Sequence, residues 1–182
     1  MEHFYEKIDG WFNCAPLYEY MVKNAKEGDV FVEVGVWKGK SAAFMGVEII
    51  NSKKKIDFYA VDHFEGSIEH KDNPSVSNNT LKDECYKNLE PVMSVVKMLP
   101  VKSTEAAKIF ADKSIDFIYL DGSHEYDDLK ADIEAWFPKL KDGGVMGGDD
   151  YNVHSYPDVK TLIDQIFPMA GIQGFVWSVK KI

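Results

Sequence analysis

The sequence predicts an α/β protein with a largely parallel sheet that is covered by helices. Short apolar runs rich in β-branched residues alternate with segments whose apolar residues recur at helical spacing, and this alternation is typical of that architecture. Most of these short runs end at a glycine or an acidic residue. The length of 182 residues favours one domain, so we expect residues 1–28 to be a helical decoration on a single domain over residues 29–182.

Six strands can be placed along the chain. Val30–Val34 is a buried run that ends at Gly35, and the others cover 56–61, 94–99, 115–120, 143–148 and 175–179. The predicted helices cover 17–25, 41–50, 81–89, 127–140 and 159–167. In 127–140 the apolar residues Leu129, Ile133, Trp136 and Leu140 follow helical spacing. Because only one clear strand follows Phe167, the sheet has six strands, or seven with a shortened terminal hairpin.

Composition excludes several classes of protein. The chain has 30 acidic and 21 basic residues and a formal net charge of −9, whereas a nonspecific nucleic-acid binder needs a basic face. Cys14 and Cys85 are too few for a disulfide framework, which favours a reducing compartment. The chain has no apolar run of about 18 residues, and its first residues lack a signal-peptide pattern. We therefore expect a cytoplasmic protein without nucleic-acid or membrane partners, and leave a homodimer open.

Acidic residues stand at or near the carboxyl ends of four predicted strands. Ligands of an open parallel sheet bind beyond these ends, so the acids are candidates for a functional site. Any one of them is also explained as a turn residue or a helix cap. The acids are Glu33, Asp62, Asp121, Asp149 and Asp150.

The first candidate site is the segment 33–41 after the first strand. Gly35 and Gly39 allow the backbone to approach a ligand closely, although a tight turn alone would also explain them. Their spacing matches neither the G-x-G-x-x-G dinucleotide fingerprint nor a phosphate-binding loop. It suits a ligand without a pyrophosphate, contacted by backbone, a carboxylate and a hydroxyl. Asp62, at the end of the second strand, is placed to accept hydrogen bonds from a ribose diol.

The second candidate site combines the segments 121–124 and 148–151. The two strands that precede them are commonly neighbours, which would bring Asp121, Asp149 and Asp150 together. Clustered carboxylates without a basic partner repel one another unless they are protonated or bound to a metal. Oxygen ligands favour a hard divalent cation, Mg²⁺ first and Ca²⁺ or Mn²⁺ next. His124 is close enough to act as a general base there, and a capping histidine is the alternative.

Together these residues resemble the S-adenosylmethionine-dependent methyltransferases of the Rossmann-like superfamily. The similarity is to small bacterial and phage members related to sugar, macrolide and catechol O-methyltransferases. It runs from about Gly10 to Ile182 and is strongest over 31–41, 115–126 and 136–151. It implies a Rossmann-like fold with helices on both faces of a mostly parallel sheet of six or seven strands. It also implies S-adenosylmethionine and Mg²⁺, or another hard divalent cation, as cofactors.

The resemblance also implies roles for individual residues. Its cofactor-binding set is Glu33, Gly35, Trp37, Gly39, Ser41, Asp62, His63, Ser103 and Asp121. Within that set Asp62 would hold the ribose and Ser103 would lie by the adenine. His124 would be the catalytic base that deprotonates the acceptor hydroxyl. The implied metal ligands are Asp121, Asp149 and Asp150. Many small members of the family have His-Asp-Tyr at the position of residues 149–151, whereas the Asp-Asp-Tyr of this chain is more similar to the metal-dependent sugar O-methyltransferases.

The leading hypothesis is a cation-assisted O-methyltransferase that acts on a small hydroxylated acceptor, with sugar-bearing molecules included. One alternative is a metal-free methyltransferase in which Asp121 and His124 only orient the acceptor. Another is a protein that binds the cofactor without catalysis. The polar segment 65–80 is expected to become ordered only when ligands fill the site.

Overall fold

The computed structural model describes residues 1–67, 70–152 and 154–182, and these form one seven-stranded sheet. The strands are β1 (Val30–Val34), β2 (Asp57–Val61), β3 (Val96–Leu99), β4 (Ile115–Leu120), β5 (Leu140–Gly148), β6 (Gly171–Gln173) and β7 (Val176–Lys180). Their order is β3-β2-β1-β4-β5-β7-β6. The first five are parallel, and β7 runs antiparallel to β5 and β6. The predicted α/β class and mostly parallel sheet are confirmed, and β6 has only three residues.

Helices cover both faces of the sheet. They are α1 (Ala15–Asn24), α2 (Lys40–Ser52), α3 (Pro74–Ser77), α4 (Leu81–Leu89), α5 (Ser103–Ala107), α6 (Tyr126–Trp136) and α7 (Pro157–Ile166). Phe117 and Tyr119 of β4 pack into a core with α1, α2 and α4, while Ile118 and Leu120 pack into a second core with α5, α6 and α7. Because neighbouring side chains of a strand point to opposite faces, a strand buried on both faces is apolar throughout, as β4 nearly is.

The N-terminal helix α1 is tied to the centre of the sheet by Tyr18. This residue is fully buried, and its ring lies edge-on to the rings of Phe117 and Tyr119, with centroids 5.8 and 5.1 Å away. Asn13, just before α1, donates a hydrogen bond from Nδ2 to Asp149 Oδ2 at 3.3 Å. The N-terminal segment therefore reaches the carboxyl end of β5.

The predicted helix over 127–140 was wrong at its end. Helix α6 stops at Trp136, a 3-10 turn covers Phe137–Lys139, and Leu140 begins β5. The cause is Pro138, which cannot donate the backbone hydrogen bond that would continue the α-helix. Leu140 is buried in the strand, as it would have been in a helix, so apolar spacing could not separate the two.

Part of the polar segment 65–80 is helical. Asn73 caps α3, because its Oδ1 accepts a hydrogen bond from the Ser75 amide at 2.9 Å. Residues 68 and 69 of this segment lie outside the described residues, and its ordering by ligands stays a prediction. Of the helices in the described ranges, none has the length and apolar content needed to cross a membrane.

Candidate active site

The turn after β1 is packed against the end of β4. Gly35 has a φ of +87°, and a Cβ at this position would lie 2.0 Å from the backbone oxygen of Asp121. Gly39 has a φ of +91°, and its Cβ would lie 2.9 Å from Leu89 Cγ. Packing alone therefore requires a glycine at both positions, which agrees with the explanation that they form a tight turn. Their contact with a cofactor stays a prediction.

Asp62 connects this turn to the end of β2. Its Oδ2 accepts hydrogen bonds from the amides of Val36 and Trp37 at 2.8 and 2.9 Å, and Oδ1 accepts one from the amide of Phe64 at 2.7 Å. A carboxylate offers about four acceptor sites. Asp62 thus holds two loops together and retains capacity for a ribose hydroxyl, the role predicted for it.

Glu33 lies buried beneath the same turn, with 1% of its surface exposed. Burial raises its pKa to about 8, although the hydroxyl groups of Ser41 and Tyr18 act in the opposite direction. Ser41 Oγ donates to Glu33 Oε1 at 2.5 Å, whereas Oε2 has no partner within hydrogen-bond distance among the described residues. An unpartnered buried carboxyl oxygen fits a cationic group such as the α-ammonium of the methionine portion of a cofactor.

The second site gathers Asp121, His124 and Asp150. Each offers a ligand atom, and these atoms all lie within 4.8 Å of one another. His124 Nε2 lies 2.7 Å from Asp150 Oδ2. The His124 ring also stacks obliquely on the Tyr156 ring, with a centroid distance of 4.1 Å. A histidine held by a carboxylate in this way is typical of a general base.

Asp149 differs from its expected place in this cluster. Its Oδ1 accepts a hydrogen bond from the Asp150 amide at 2.8 Å, and its Oδ2 accepts one from Asn13. The observed cluster thus consists of Asp121, His124 and Asp150, whereas the predicted metal ligands were Asp121, Asp149 and Asp150. The ligand role of Asp149 stays a prediction.

Electrostatics at this cluster fits a bound cation. Burial raises the pKa of Asp121, and the nearby carboxylates of Asp149, Asp150 and Glu33 raise it further. Burial likewise raises the pKa of Asp149. A divalent cation would relieve the repulsion of these carboxylates, and the two carboxylates of the trio are oxygen ligands of the kind that Mg²⁺ and Mn²⁺ prefer.

Two cavities meet at the ends of the central strands. The first has a volume of about 510 Å³, and the described residues that line it all fall between Val34 and Asp132. The second has a volume of about 590 Å³ and is lined by residues from Gly10 to Phe175. The described residues that line both cavities are Gly35, Trp37, His70, Asp121 and Gly122. A ligand in one cavity can therefore contact a ligand in the other beside Asp121.

The predicted cofactor residues are distributed unevenly over these cavities. The first cavity is lined by Gly35, Trp37, Asp62, His63, Ser103 and Asp121. Ser41 lines the second cavity, together with His124, Asp149 and Asp150. Glu33 lies beneath the turn, and Gly39 packs against Leu89.

Several residues of the site were missed in the sequence. Trp11 lines the second cavity with 72% of its surface exposed, and Tyr156 and Phe175 line the same cavity. They come from segments far apart in the chain, so no local pattern marks them. Asp132 in the first cavity did have a signal, because it falls on the apolar face of α6, three residues after Leu129.

Residues 32–151 match the family described as "Methyltransferase domain", which covers more than half of the chain. The chain belongs to this methyltransferase family. It has the Rossmann-like fold of the superfamily that its sequence resembles.

Similar proteins support the same fold. The chain is 25% identical to the protein y4gI of Sinorhizobium fredii over 154 residues, which are 85% of this chain and 16% of that protein. It thus spans about a sixth of the length of this curated relative. The structure of the O-methyltransferase NovP matches with a TM-score of 0.70 and 18% identity, covering 92% of this chain and 78% of NovP. CalS11, a TDP-rhamnose 3′-O-methyltransferase of calicheamicin biosynthesis, matches with a TM-score of 0.58 and 17% identity, covering 91% and 76%.

Proposed function

We propose that this methyltransferase methylates a hydroxyl group of a small, ring-bearing molecule with the help of a divalent cation. The observation that carries the proposal is the cluster of Asp121, His124 and Asp150 beside the junction of the two cavities. Asp121 and Asp150 would hold the cation, and His124 would take the hydroxyl proton. NovP and CalS11, which share the fold, are both O-methyltransferases by name.

Each residue of the cluster has its own role in the proposed reaction. The contact between His124 and Asp150 orients the imidazole and stabilises the imidazolium formed when the ring accepts a proton. When bound, a divalent cation lowers the pKa of the acceptor hydroxyl. The acceptor oxygen forms a bond to the methyl carbon, the carbon–sulfur bond of the cofactor breaks, and the hydroxyl proton goes to His124. The rest of the site holds the two reactants in line.

The second cavity supports a ring-bearing acceptor. Among the described residues, large aromatic side chains line it from Trp11, Trp37, Tyr156 and Phe175. Polar groups of Asn13, Lys40 and Asn152 line the same cavity. Flat apolar surfaces with a few polar groups suit an aromatic ring or a sugar ring that carries hydroxyl groups. The acceptor class expected from the sequence thus fits the lining of this cavity.

The test is methyl transfer by the purified protein to two panels of acceptors, one phenolic and one glycosylated. Chelation should abolish turnover, and added Mg²⁺ or Mn²⁺ should restore it, while calorimetry shows little change in the affinity for S-adenosylhomocysteine. Asp150→Asn should behave like chelation. Asp127→Asn, an exposed acid of α6, is the matched control. His124→Ala should lower kcat by about 10²–10⁴-fold and flatten the pH–rate profile.

The outcomes separate the competing functions. Full activity in chelator would favour a metal-free enzyme, for which the 2.7 Å contact between His124 and Asp150 offers a base without a cation. Cofactor binding without turnover on any acceptor would favour a binding protein. Asp149→Asn tests whether Asp149 joins the metal set, since metal affinity should fall in this variant if the Asp149 carboxylate is a ligand.

A further inference from the structure

Lys40 is the one lysine or arginine among the described residues that line the second cavity. It is the first residue of α2, and it does not line the first cavity. Its Nζ donates a hydrogen bond to the carbonyl oxygen of Gly10 at 2.8 Å. An ammonium group has three N–H donors, and in the described part of the chain no carboxylate lies within ion-pair distance of this one. The charge of Lys40 and its other donors are therefore left for a ligand.

The nearby Lys38 shows how the same turn treats a lysine that faces away from the cavities. Lys38 lines neither cavity, and its Nζ lies 3.0 Å from Asp9 Oδ2 and 3.5 Å from Glu84 Oε2. The protein thus neutralises Lys38 with its own carboxylates and leaves Lys40 without one. Because Lys40 is partly buried, an anion beside its ammonium group would replace the hydration that the charge has lost.

The side chain of Lys40 points to a different part of the site from that of Ser41. Ser41 is 6% exposed, and its hydroxyl donates to Glu33 beneath the turn. Lys40 instead reaches Gly10, in the segment before α1. A Cβ built on Gly10 would lie 3.3 Å from Trp37 Cδ1 and 4.0 Å from Lys40 Cβ. The ammonium group therefore belongs to the wall that the N-terminal segment builds, and this segment lines the second cavity.

We infer that the acceptor carries a carboxylate, which forms an ion pair with Lys40 while the acceptor hydroxyl lies beside His124. This inference rests on the proposed function and narrows the acceptor to ring-bearing hydroxy acids. A carboxylate fits better than a phosphate, which carries a charge of about −1.5 to −2 at pH 7. The described lining of the cavity offers one fixed cation and three acids. Its volume of about 590 Å³ has room for a ring that bears both groups.

Matched pairs of acceptors test the ion pair, because the two members of each pair differ in one charged group. One pair is a dihydroxybenzoate and its amide, and the other is a phenyl glucuronide and the corresponding glucoside. Calorimetry with the full chain, S-adenosylhomocysteine and Mg²⁺ measures the Kd of each compound, and turnover with S-adenosylmethionine measures kcat/KM. In at least one pair the wild type should bind the acid at least about tenfold more tightly, the size expected for a hydrogen bond to a charged group.

Three variants assign this preference to Lys40. Lys40→Met keeps most of the length of the side chain and removes its charge, so the acid and its neutral partner should bind with similar affinity. Lys40→Arg keeps the charge and should retain part of the preference. Lys53→Met is the matched control, because Lys53 is exposed at the other end of α2, and it should behave like the wild type.

Equal binding of acid and neutral partner by the wild type in both pairs would overturn the inference. An unchanged preference in Lys40→Met would also overturn it and leave Lys40 only the role of holding Gly10. Weaker binding of S-adenosylhomocysteine by Lys40→Met would assign the ammonium group to the carboxylate of the cofactor instead. A preference that depends on Lys40, without turnover of any acceptor, would support the ion pair and contradict the proposed methyl transfer, so the two failures are distinguishable.

Discussion

Replacing Glu33 with glutamine should stabilise the free protein, and increasingly so as the pH rises. The Glu33 carboxyl has a pKa of about 8 in the folded protein against an ordinary value of 4.5. Between these two values the folded state keeps a proton that the unfolded state has lost. Stability must therefore fall as the pH rises through this window, and it levels off above it. Glutamine stays neutral at every pH and accepts the same hydrogen bond from Ser41.

The size of the effect follows from the two pKa values. Each unit of difference corresponds to about 1.36 kcal/mol, so the change from 4.5 to about 8 amounts to about 5 kcal/mol. The free energy of unfolding of Glu33→Gln should thus match that of the wild type near pH 4 and exceed it by about 5 kcal/mol above pH 8. For a chain of this length, 5 kcal/mol corresponds to about 10–20 °C in Tm.

Urea unfolding at several pH values between 4 and 9 measures this difference directly. Comparing the variant with the wild type at each pH cancels the contribution of other titrating groups. Glu19→Gln, an exposed acid on α1, is the control and should give no pH-dependent gap. A gap that stays constant with pH, or that shrinks as the pH rises, would refute the reasoning from burial.

Two further substitutions test the packing of the turn and the wall of the second cavity. Gly35→Ala should lower Tm strongly or prevent folding, because the new Cβ would lie 2.0 Å from the Asp121 backbone oxygen. Gly28 has a φ of +85° and open space around it, so Gly28→Ala should lower the free energy of unfolding by only about 1 kcal/mol. An equal Tm for the two variants would contradict the packing argument. Trp11→Ala should raise the KM for a ring-bearing acceptor about tenfold and leave the affinity for S-adenosylhomocysteine unchanged, with exposed Tyr20→Ala as the control. A change in the affinity for S-adenosylhomocysteine instead would contradict the assignment of Trp11 to the acceptor cavity.

The sequence was informative where local pattern decides the structure. Apolar runs that end at a glycine or an acid identified β1, β2, β4 and β5, and parallel pairing then brings their carboxyl ends to one edge. The proximity of Asp121 and Asp150 follows from this rule alone. The apolar spacing gave a wrong prediction at Leu140, because Pro138 ends the helix before this residue.

Features that depend on distant segments could not be predicted. Asp149 and Asp150 are neighbours with the same side chain, yet only Asp150 lies in the trio with His124. The difference comes from Asn13, which binds Asp149 from the other end of the chain, and from the positive φ of +63° at Asp150. Trp11 has no sequence signal, because its place depends on how the segment before α1 returns to the sheet.

The two cavities also differ in which parts of the chain build them. The described lining of the first lies wholly within the 32–151 segment that matches the family, whereas Trp11, Tyr156 and Phe175 of the second lie outside it. If the first cavity holds the cofactor and the second the acceptor, as we propose, the segments outside 32–151 contribute to acceptor choice and not to the lining of the cofactor cavity. A chimera that keeps residues 32–151 and takes its flanking segments from another member of the fold should retain its affinity for the cofactor and acquire the acceptor preference of the donor.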